Sequence, residues 1–487
     1  MKHGTRQIIY IFILLLVFFS CTRPELNQVE DVTLTTSDTL LNQAFELAVW
    51  TIDHNTHNGL LEAGGGYGGE WTRDCAMNCW NAASLLRPEV AVSSLWSVTN
   101  DSITIGHQYW DKIVWTIAAY NHYLVTGDQI FLEKAFNCAS TTMEELEEQC
   151  YDSLSGLFMG PAVFQDGIAG YDEPIYDSTL WDDSFVLHHP NSATIKCLST
   201  NALYYQAYRT LAQMDIEMAP FTNLWGKKAY LPTQASGVFD SNADTLKERI
   251  RETFFRPEEN KLYYLIDHQG HPHDYQEGLG LAFSMLFDLL TPEESAKVVE
   301  HAYISEHGIP CVYPSFPRNT PDKPGRHNMM IWPHVNMYYA SGCAHQGQYD
   351  SFYNELYNLA DLAINRGEGD FYEIYTLDGE PSGGYQCGGL WDKKEHQTWC
   401  ATGYLRCFLN HIFGLTPTPE GLELHPIGMR DGSECKLEGI HYRNTNLAII
   451  VRGHGDNILK CNINGKRKAA FIPSNASGDL TIEITLG

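Results

Sequence analysis

Thr179-Leu180-Trp181-Asp182-Asp183-Ser184 closes a long loop, 151–190, and leads into a segment whose spacing predicts a helix over 191–214. That unit, a long polar and aromatic loop emptying into a long helix, decides the fold because it recurs. Apolar periodicity predicts further helices over about 39–52, 73–87, 104–126, 128–149, 242–255, 276–290, 292–303, 328–345, 347–365 and 395–413. Their ends carry signals. Asp128 caps after Thr126-Gly127, and Thr291-Pro292-Glu293-Glu294 joins a capping box to a proline at the first helical position. The loops 53–72, 151–190, 256–275, 304–327 and 366–394 are too long and too rich in Gly, Pro and aromatics to be plain connectors. Loops of that length in a compact fold usually carry function. Eleven or twelve helices in hairpin pairs, with long loops after alternate helices, predict a mainly α protein. The expected architecture is a closed ring of six helical hairpins, an (α/α)6 barrel, over 39–420. A solenoid of helical pairs is the competing arrangement, but it would show a repeat of fixed period, and none is visible.

From about Gly421 the texture changes. Leu422-Glu423-Leu424, Ala448-Ile449-Ile450-Val451, Leu459-Lys460-Cys461-Asn462-Ile463 and Leu480-Thr481-Ile482-Glu483-Ile484 alternate or run apolar over strand lengths. Asn464-Gly465 between two of them signals a tight hairpin. A small β domain over 421–487 is expected.

Lys2, His3 and Arg6 precede an apolar run from Ile8 to Phe19 that ends at Ser20-Cys21. The run is too short to span a bilayer and reads as an export signal over 1–20. A cysteine directly at its end resembles a bacterial lipoprotein processing site, with Cys21 as the lipidated first residue and 21–38 as a polar tether. The expected location is therefore periplasmic or cell-surface, anchored to a membrane through lipid. A net charge of −28, from 32 Lys+Arg against 60 Asp+Glu, argues against nucleic-acid binding, which needs a basic face. The other cysteines are scattered without a Cys-x-x-Cys pair, so neither a zinc cluster nor a disulfide scaffold is predicted. Gly64–Gly69 has no lysine and follows no strand, which speaks against a phosphate loop. No metal or other cofactor is expected.

Within this frame Asp182 and Asp183 are conspicuous. Carboxylates beside aromatic surface are costly to desolvate, so two acids after Trp181 gain nothing for folding. Chemistry on sugars does gain, because it needs one carboxyl that keeps its proton near neutral pH, and apolar surroundings supply that shift. The 12% aromatic content would also furnish platforms for sugar rings.

Several motifs read in order. Trp71-Thr72-Arg73-Asp74 opens a helix after the glycine-rich segment, and Trp181-Asp182-Asp183-Ser184 precedes Asn201-Ala202-Leu203. Phe371-Tyr372-Glu373-Ile374-Tyr375 precedes Gln397-Thr398-Trp399-Cys400. This order resembles the six-hairpin glycosidases, in particular glycoside hydrolase family 63 and its mannosylglycerate-hydrolase-like relatives, and the glucosidase half of glycogen debranching enzymes. The resemblance covers about 45–430. It implies Asp182 as general acid and Glu373, in a Glu-x-Tyr motif, as general base. The chain departs from the pattern at Phe185, where family 63 has proline, and at Cys400, where serine is familiar. Gly170-Tyr171-Asp172-Glu173-Pro174 also looks like the acid motif, which makes Asp172 a rival.

Asp183, Arg73 and Asp74 are read as holders of sugar hydroxyls, since Arg and Asp together offer directed donors and acceptors. Trp71, Trp181, Trp332 and Trp391 are read as sugar-facing aromatics, with core packing as the alternative for each. Glu380 and Glu368 are alternatives to Glu373, and Gln165-Asp166-Gly167 and His334 are weaker candidates. The expected function is an exported hydrolase that cleaves a terminal α-linked sugar from an oligosaccharide or glycoside with inversion. A non-catalytic glycan-binding lipoprotein is one alternative, and a polysaccharide lyase or sugar epimerase on the same barrel is another. A lyase would favour a basic cleft, which fits poorly with this charge balance.

Overall fold

The computed structural model describes residues 32–69, 71–106, 110–172, 184–224, 235–320, 322–386 and 388–487. The expected signal segment, Cys21, Trp181, Asp182 and Asp183 lie outside the described residues.

Two kinds of helix build the ring, and composition separates them. Thr72–Asn78, Gly278–Leu286, Pro333–His345 and Thr398–Arg406 are buried on almost every residue, Gly278–Leu286 because it is apolar or small all round and the others with polar residues such as Arg73, Asp74, His334 and Arg406 buried as well. A helix without an exposed face must be enclosed on all sides, so these form the inner layer. Pro292–His301 and Tyr349–Asp361 bury one stripe and turn charged residues outward, as an outer layer requires. Thr39–His54 packs against Thr398–Arg406, so the first helix meets the last and the ring closes. Tyr404 Oη donates to the Leu41 carbonyl at 3.1 Å across that seam, and Phe45 meets Phe408 edge-on at 5.6 Å. The fold is the expected (α/α)6 arrangement with a β region at the C-terminal end.

Most helix ends sit where the capping signals placed them. Asp38 accepts from the Leu40 amide at 2.9 Å, Asp128 from that of Phe131 at 2.9 Å, and the Thr291–Glu294 capping box is complete. Several segments differ from the sequence reading, among them the helix expected from 242, which begins at Ala235, and that expected from 328, which begins at Pro333. The helix expected from 104 begins at Ile113, because Thr104–Ile105 pairs as a strand with Thr99–Asn100. The helix expected from 191 begins at Leu198, after a 3-10 turn over Pro190–Thr194 and a short strand, Lys196–Cys197. Pro88–Ser97 is a helix that the periodicity did not reveal. Its buried residues are only Ala91, Ser94 and Leu95, too weak a stripe to read.

In the C-terminal region a six-stranded sheet runs Thr33–Thr35, Cys435–Tyr442, Asn444–Arg452, Ser477–Leu486, Ile458–Ile463, Lys466–Arg467. Asn444–Arg452 and Ser477–Leu486 pair in parallel, and every other neighbour pair is antiparallel. Asn464-Gly465 forms the expected hairpin turn, both residues at positive φ (50° and 72°), with Ile463 opposite Lys466. The stretch expected as a polar tether ends in structure: Thr33–Thr35 is a strand in this sheet, set against Lys436 to Glu438. Residues 32–487 form one compact unit, so the strands after 421 do not stand apart from the helices. Arg443 reaches from the sheet to the Leu124 carbonyl at 3.0 Å.

Candidate active site

A cavity of about 190 Å³ opens at the N-terminal ends of the inner helices. Trp71 and Trp332 are the residues immediately before Thr72–Asn78 and Pro333–His345, and Trp399 is in the first turn of Thr398–Arg406. Four of the five long loops line the cavity: 53–72 through Tyr67, 151–190 through Asp166, 304–327 through Arg326, and 366–394 through Glu373 and Trp391. The loop 256–275 supplies no lining residue among those described.

Glu373 is the centre of the arrangement. It is 4% exposed, and its Oε2 accepts from Tyr67 Oη at 2.9 Å and from Arg326 Nη2 at 2.5 Å. Its backbone N–H donates to the Lys394 carbonyl at 2.8 Å, which fixes the loop around it. Both donors fall on one carboxylate oxygen, so Oε1 is the oxygen left for a ligand. Burial pushes the Tyr67 phenol up, and the charge of Glu373 pushes it further, so Tyr67 remains a donor. Arg326 is held in turn by the Gly383 carbonyl at 2.7 Å and lies over the Trp391 ring at 4.6 Å.

Tyr67 reaches Glu373 because the glycine-rich segment packs directly on the backbone of 395–397. The Gly65 amide donates to the Glu395 carbonyl at 3.1 Å. At Gly64, with φ +135°, a Cβ would stand 2.4 Å from the His396 carbonyl oxygen. Only glycine tolerates both the dihedral and the approach.

Arg73 and Asp74 form the opposite pole. Arg73 stands 3.0 Å from Asp166 Oδ2, 3.5 Å from Asp111 Oδ2 and 3.6 Å from Asp74 Oδ2, and lies over the Trp71 ring at 5.2 Å. Burial pushes the Asp74 carboxyl up to about 7, with Arg73 opposing and the charge of Glu373 adding to the rise. Asp111, fully buried behind it, is likewise pushed up to about 7 by burial against the pull of Arg73. The cavity therefore holds a carboxyl that exchanges a proton near neutral pH and a carboxyl held by two donors.

Trp71, Arg73, Asp74, Trp332, Glu373 and Trp391, all singled out from the sequence, share this one cavity. Asp172 is not among the lining residues. Its carboxylate takes His273 Nδ1 at 2.9 and 3.0 Å, and its carbonyl accepts from Arg318 at 2.8 Å. His334 lies in the layer behind, buried against Trp332 and Trp399. Tyr67, Arg326, His327, Gln386 and Trp399 also line the site, and the sequence reading did not assign them roles. For two of them a signal existed: Tyr67 sits inside the glycine run, and Trp399 inside the motif that follows the Glu373 loop.

No protein-family model matches the chain, and no curated protein sequence matches it. Solved structures do resemble it. A sialidase aligns with a TM-score of 0.67 at 14% identity, covering 92% of this chain and 42% of its own. A rhamnosidase of glycoside hydrolase family 78 from a Bacillus species aligns at 0.61 and 14% identity, covering 94% of this chain and 44% of its own. This chain thus spans less than half the length of either. The glycoside hydrolase family 63 mannosylglycerate hydrolase of Thermus thermophilus, in complex with glucose, aligns at 0.56 and 15% identity over 74% of this chain and 99% of its own. At such identities the likeness establishes the fold, which this chain shares with (α/α)6 glycosidases.

Proposed function

We propose that the protein is an exported glycoside hydrolase that removes a terminal α-linked sugar with inversion. The observation that carries this reading is Glu373: a buried carboxylate with one oxygen fixed by Tyr67 and Arg326, the other left to the cavity, amid tryptophan walls. In the reaction Glu373 accepts a proton from a water whose oxygen bonds to the anomeric carbon. The bond from that carbon to the leaving oxygen breaks, and a carboxylic acid delivers a proton to that oxygen. The cavity has room for about one ring, which suits release of a single terminal sugar.

The sequence assigns the proton donor to Asp182, from the loop that also carries Asp172. A second assignment is favoured by position: Asp74 lines the cavity itself, where burial pushes its carboxyl up to about 7. In the first assignment Asp74 and Arg73 hold sugar hydroxyls. The anchor belongs to the same proposal, with Cys21 acylated and the enzyme facing the periplasm or the cell exterior.

Proton NMR of hydrolysis in progress tests the mechanism. With inversion, the first sugar to appear carries the configuration opposite to that of the substrate, and the two catalytic carboxyl groups stand roughly 6.5–9.5 Å apart. A first-formed product of unchanged configuration refutes inversion. A Glu373→Gln variant that binds sugars and hydrolyses glycosides at the wild-type rate refutes the hydrolytic assignment of Glu373. Sugar binding by the wild type without turnover of any aryl α-glycoside or α-linked disaccharide moves the reading to a glycan-binding lipoprotein.

A further inference from the structure

Four aromatic rings stack in one cluster at the cavity that Glu373 lines. His327 lies flat on Trp332 at 4.1 Å, Trp332 meets His334 edge-on at 3.9 Å, and His334 stacks on Trp399 at 4.5 Å. All four residues are at most 3% exposed. Six ring nitrogens belong to them: Nδ1 and Nε2 of both histidines and Nε1 of both indoles. None has a hydrogen-bond partner among the described residues. Buried polar atoms are nearly always partnered, and each one left unpaired is costly. Four of the six belong to residues that line the cavity, and that concentration points to a ligand. Three of the four rings, His327, Trp332 and Trp399, line the cavity.

The chemistry of that ligand follows from what the rings can do. Burial, with the positive charges of Arg326 and Arg73 nearby, holds His327 well below the ordinary histidine range, and His334 is depressed by burial and Arg73. Each imidazole is neutral and offers one donor and one acceptor, while the indoles offer donors only. A hydroxyl group, which both donates and accepts, complements such a set. A carboxylate accepts only and leaves the imidazole acceptors unmet. The guanidiniums give a carboxylate no better welcome. Arg326 is engaged by Glu373, and Arg73, although its Nε and Nη1 have no hydrogen-bond partner among the described residues, has its charge met by Asp166, Asp111 and Asp74 together.

We infer that His327, Trp332 and Trp399 form a hydroxyl-reading floor that selects an uncharged sugar ring and rejects acidic sugars. The inference rests on the glycosidase reading of the cavity and names the class of sugar it takes. His327 is the specificity-determining residue, because it alone of these three rings can both give and receive a hydrogen bond, and Tyr67, the other such ring in the lining, is already engaged with Glu373 and Arg326.

The test is calorimetric titration of the wild type with D-glucose, D-mannose, D-galactose, L-rhamnose and D-glucuronate, repeated on His327→Phe and Trp332→Phe. Both substitutions keep an aromatic ring in the stack and remove its nitrogens, and thermal unfolding verifies the fold. At least one neutral sugar binds the wild type, D-glucuronate does not, and each variant weakens the neutral sugar by about tenfold or more. D-Glucuronate binding as tightly as any neutral sugar overturns the inference. So does unchanged affinity in folded His327→Phe, or failure of every neutral sugar to bind. Binding as described, with no glycoside hydrolysed, defeats the hydrolase reading and leaves the floor standing. Hydrolysis with unaltered sugar preference in His327→Phe defeats the floor alone.

Discussion

Arg326 and Glu373 form an ion pair in which each side chain is only 5% exposed. Replacing one member strands the other charge inside the protein, a change that costs about 3–5 kcal/mol in a closed interior. Here the cavity borders the pair, so the lower end applies, about 3 kcal/mol for either Arg326→Met or Glu373→Met. Arg326→Met also gives up the bond to the Gly383 carbonyl and the stack on Trp391, while Glu373→Met leaves Tyr67 without its acceptor. The double variant strands no charge. Its cost should fall well below the summed ~6 kcal/mol, to about 1–2, and below that of either single change. Urea unfolding followed by tryptophan fluorescence measures all four proteins at constant slope. Additive single effects, or single losses below about 1 kcal/mol, would refute the claim that this pair is a mutually dependent buried unit.

Three further outcomes are expected. Asp182→Asn lowers turnover of poor leaving groups by two or more orders of magnitude but spares activated aryl glycosides, which need no proton. If Asp172→Asn or Asp74→Asn shows that signature instead, the acid is reassigned to that residue. Asp74 is raised from its unfolded value near 4 to about 7, so its ionisation opposes folding as pH climbs through that window. Asp74→Asn should therefore gain stability relative to the wild type from about pH 4 to 7, with a constant difference above. Urea midpoints across pH check this, and a gap that widens toward low pH has the wrong sign. Mass spectrometry of the N-terminal peptide should find an acylated Cys21, and an intact Met1 or an unmodified Cys21 counts against the anchor.

Much of this was legible in the chain, for local reasons. Asp38, Asp128 and Thr291 announce helix starts through contacts within three residues of themselves. Four of the five loops too long to be connectors converge on the cavity, where Glu373 and Trp391 from one of them meet Arg73, Asp74 and Trp332 at the starts of inner helices. What escaped depends on distant partners. Tyr67 matters because of an oxygen 306 residues away, and Arg326 because Tyr67 and Glu373 both lie on it. Nothing local marks Arg326, and the glycine run around Tyr67 hints at a close approach without saying to what. The strand Thr33–Thr35 looks like any polar linker, since its pairing with Lys436 to Glu438 is set by the sheet and not by its own composition.

The seam between the first helix and the last governs how the molecule can come into being. Tyr404 meets Leu41 across 363 residues of chain, and Thr33–Thr35 waits for strands beyond 435. The first helix and the inner helix Thr72–Asn78 gain their partner Thr398–Arg406 only when the final hairpin arrives, so the ring closes late. Such long-range topology makes folding slow and keeps hydrophobic surface open to aggregation in the meantime. Under the proposed export, late closure would be an advantage: the polypeptide would stay threadable through a translocation pore, and the ring would shut only on the far side.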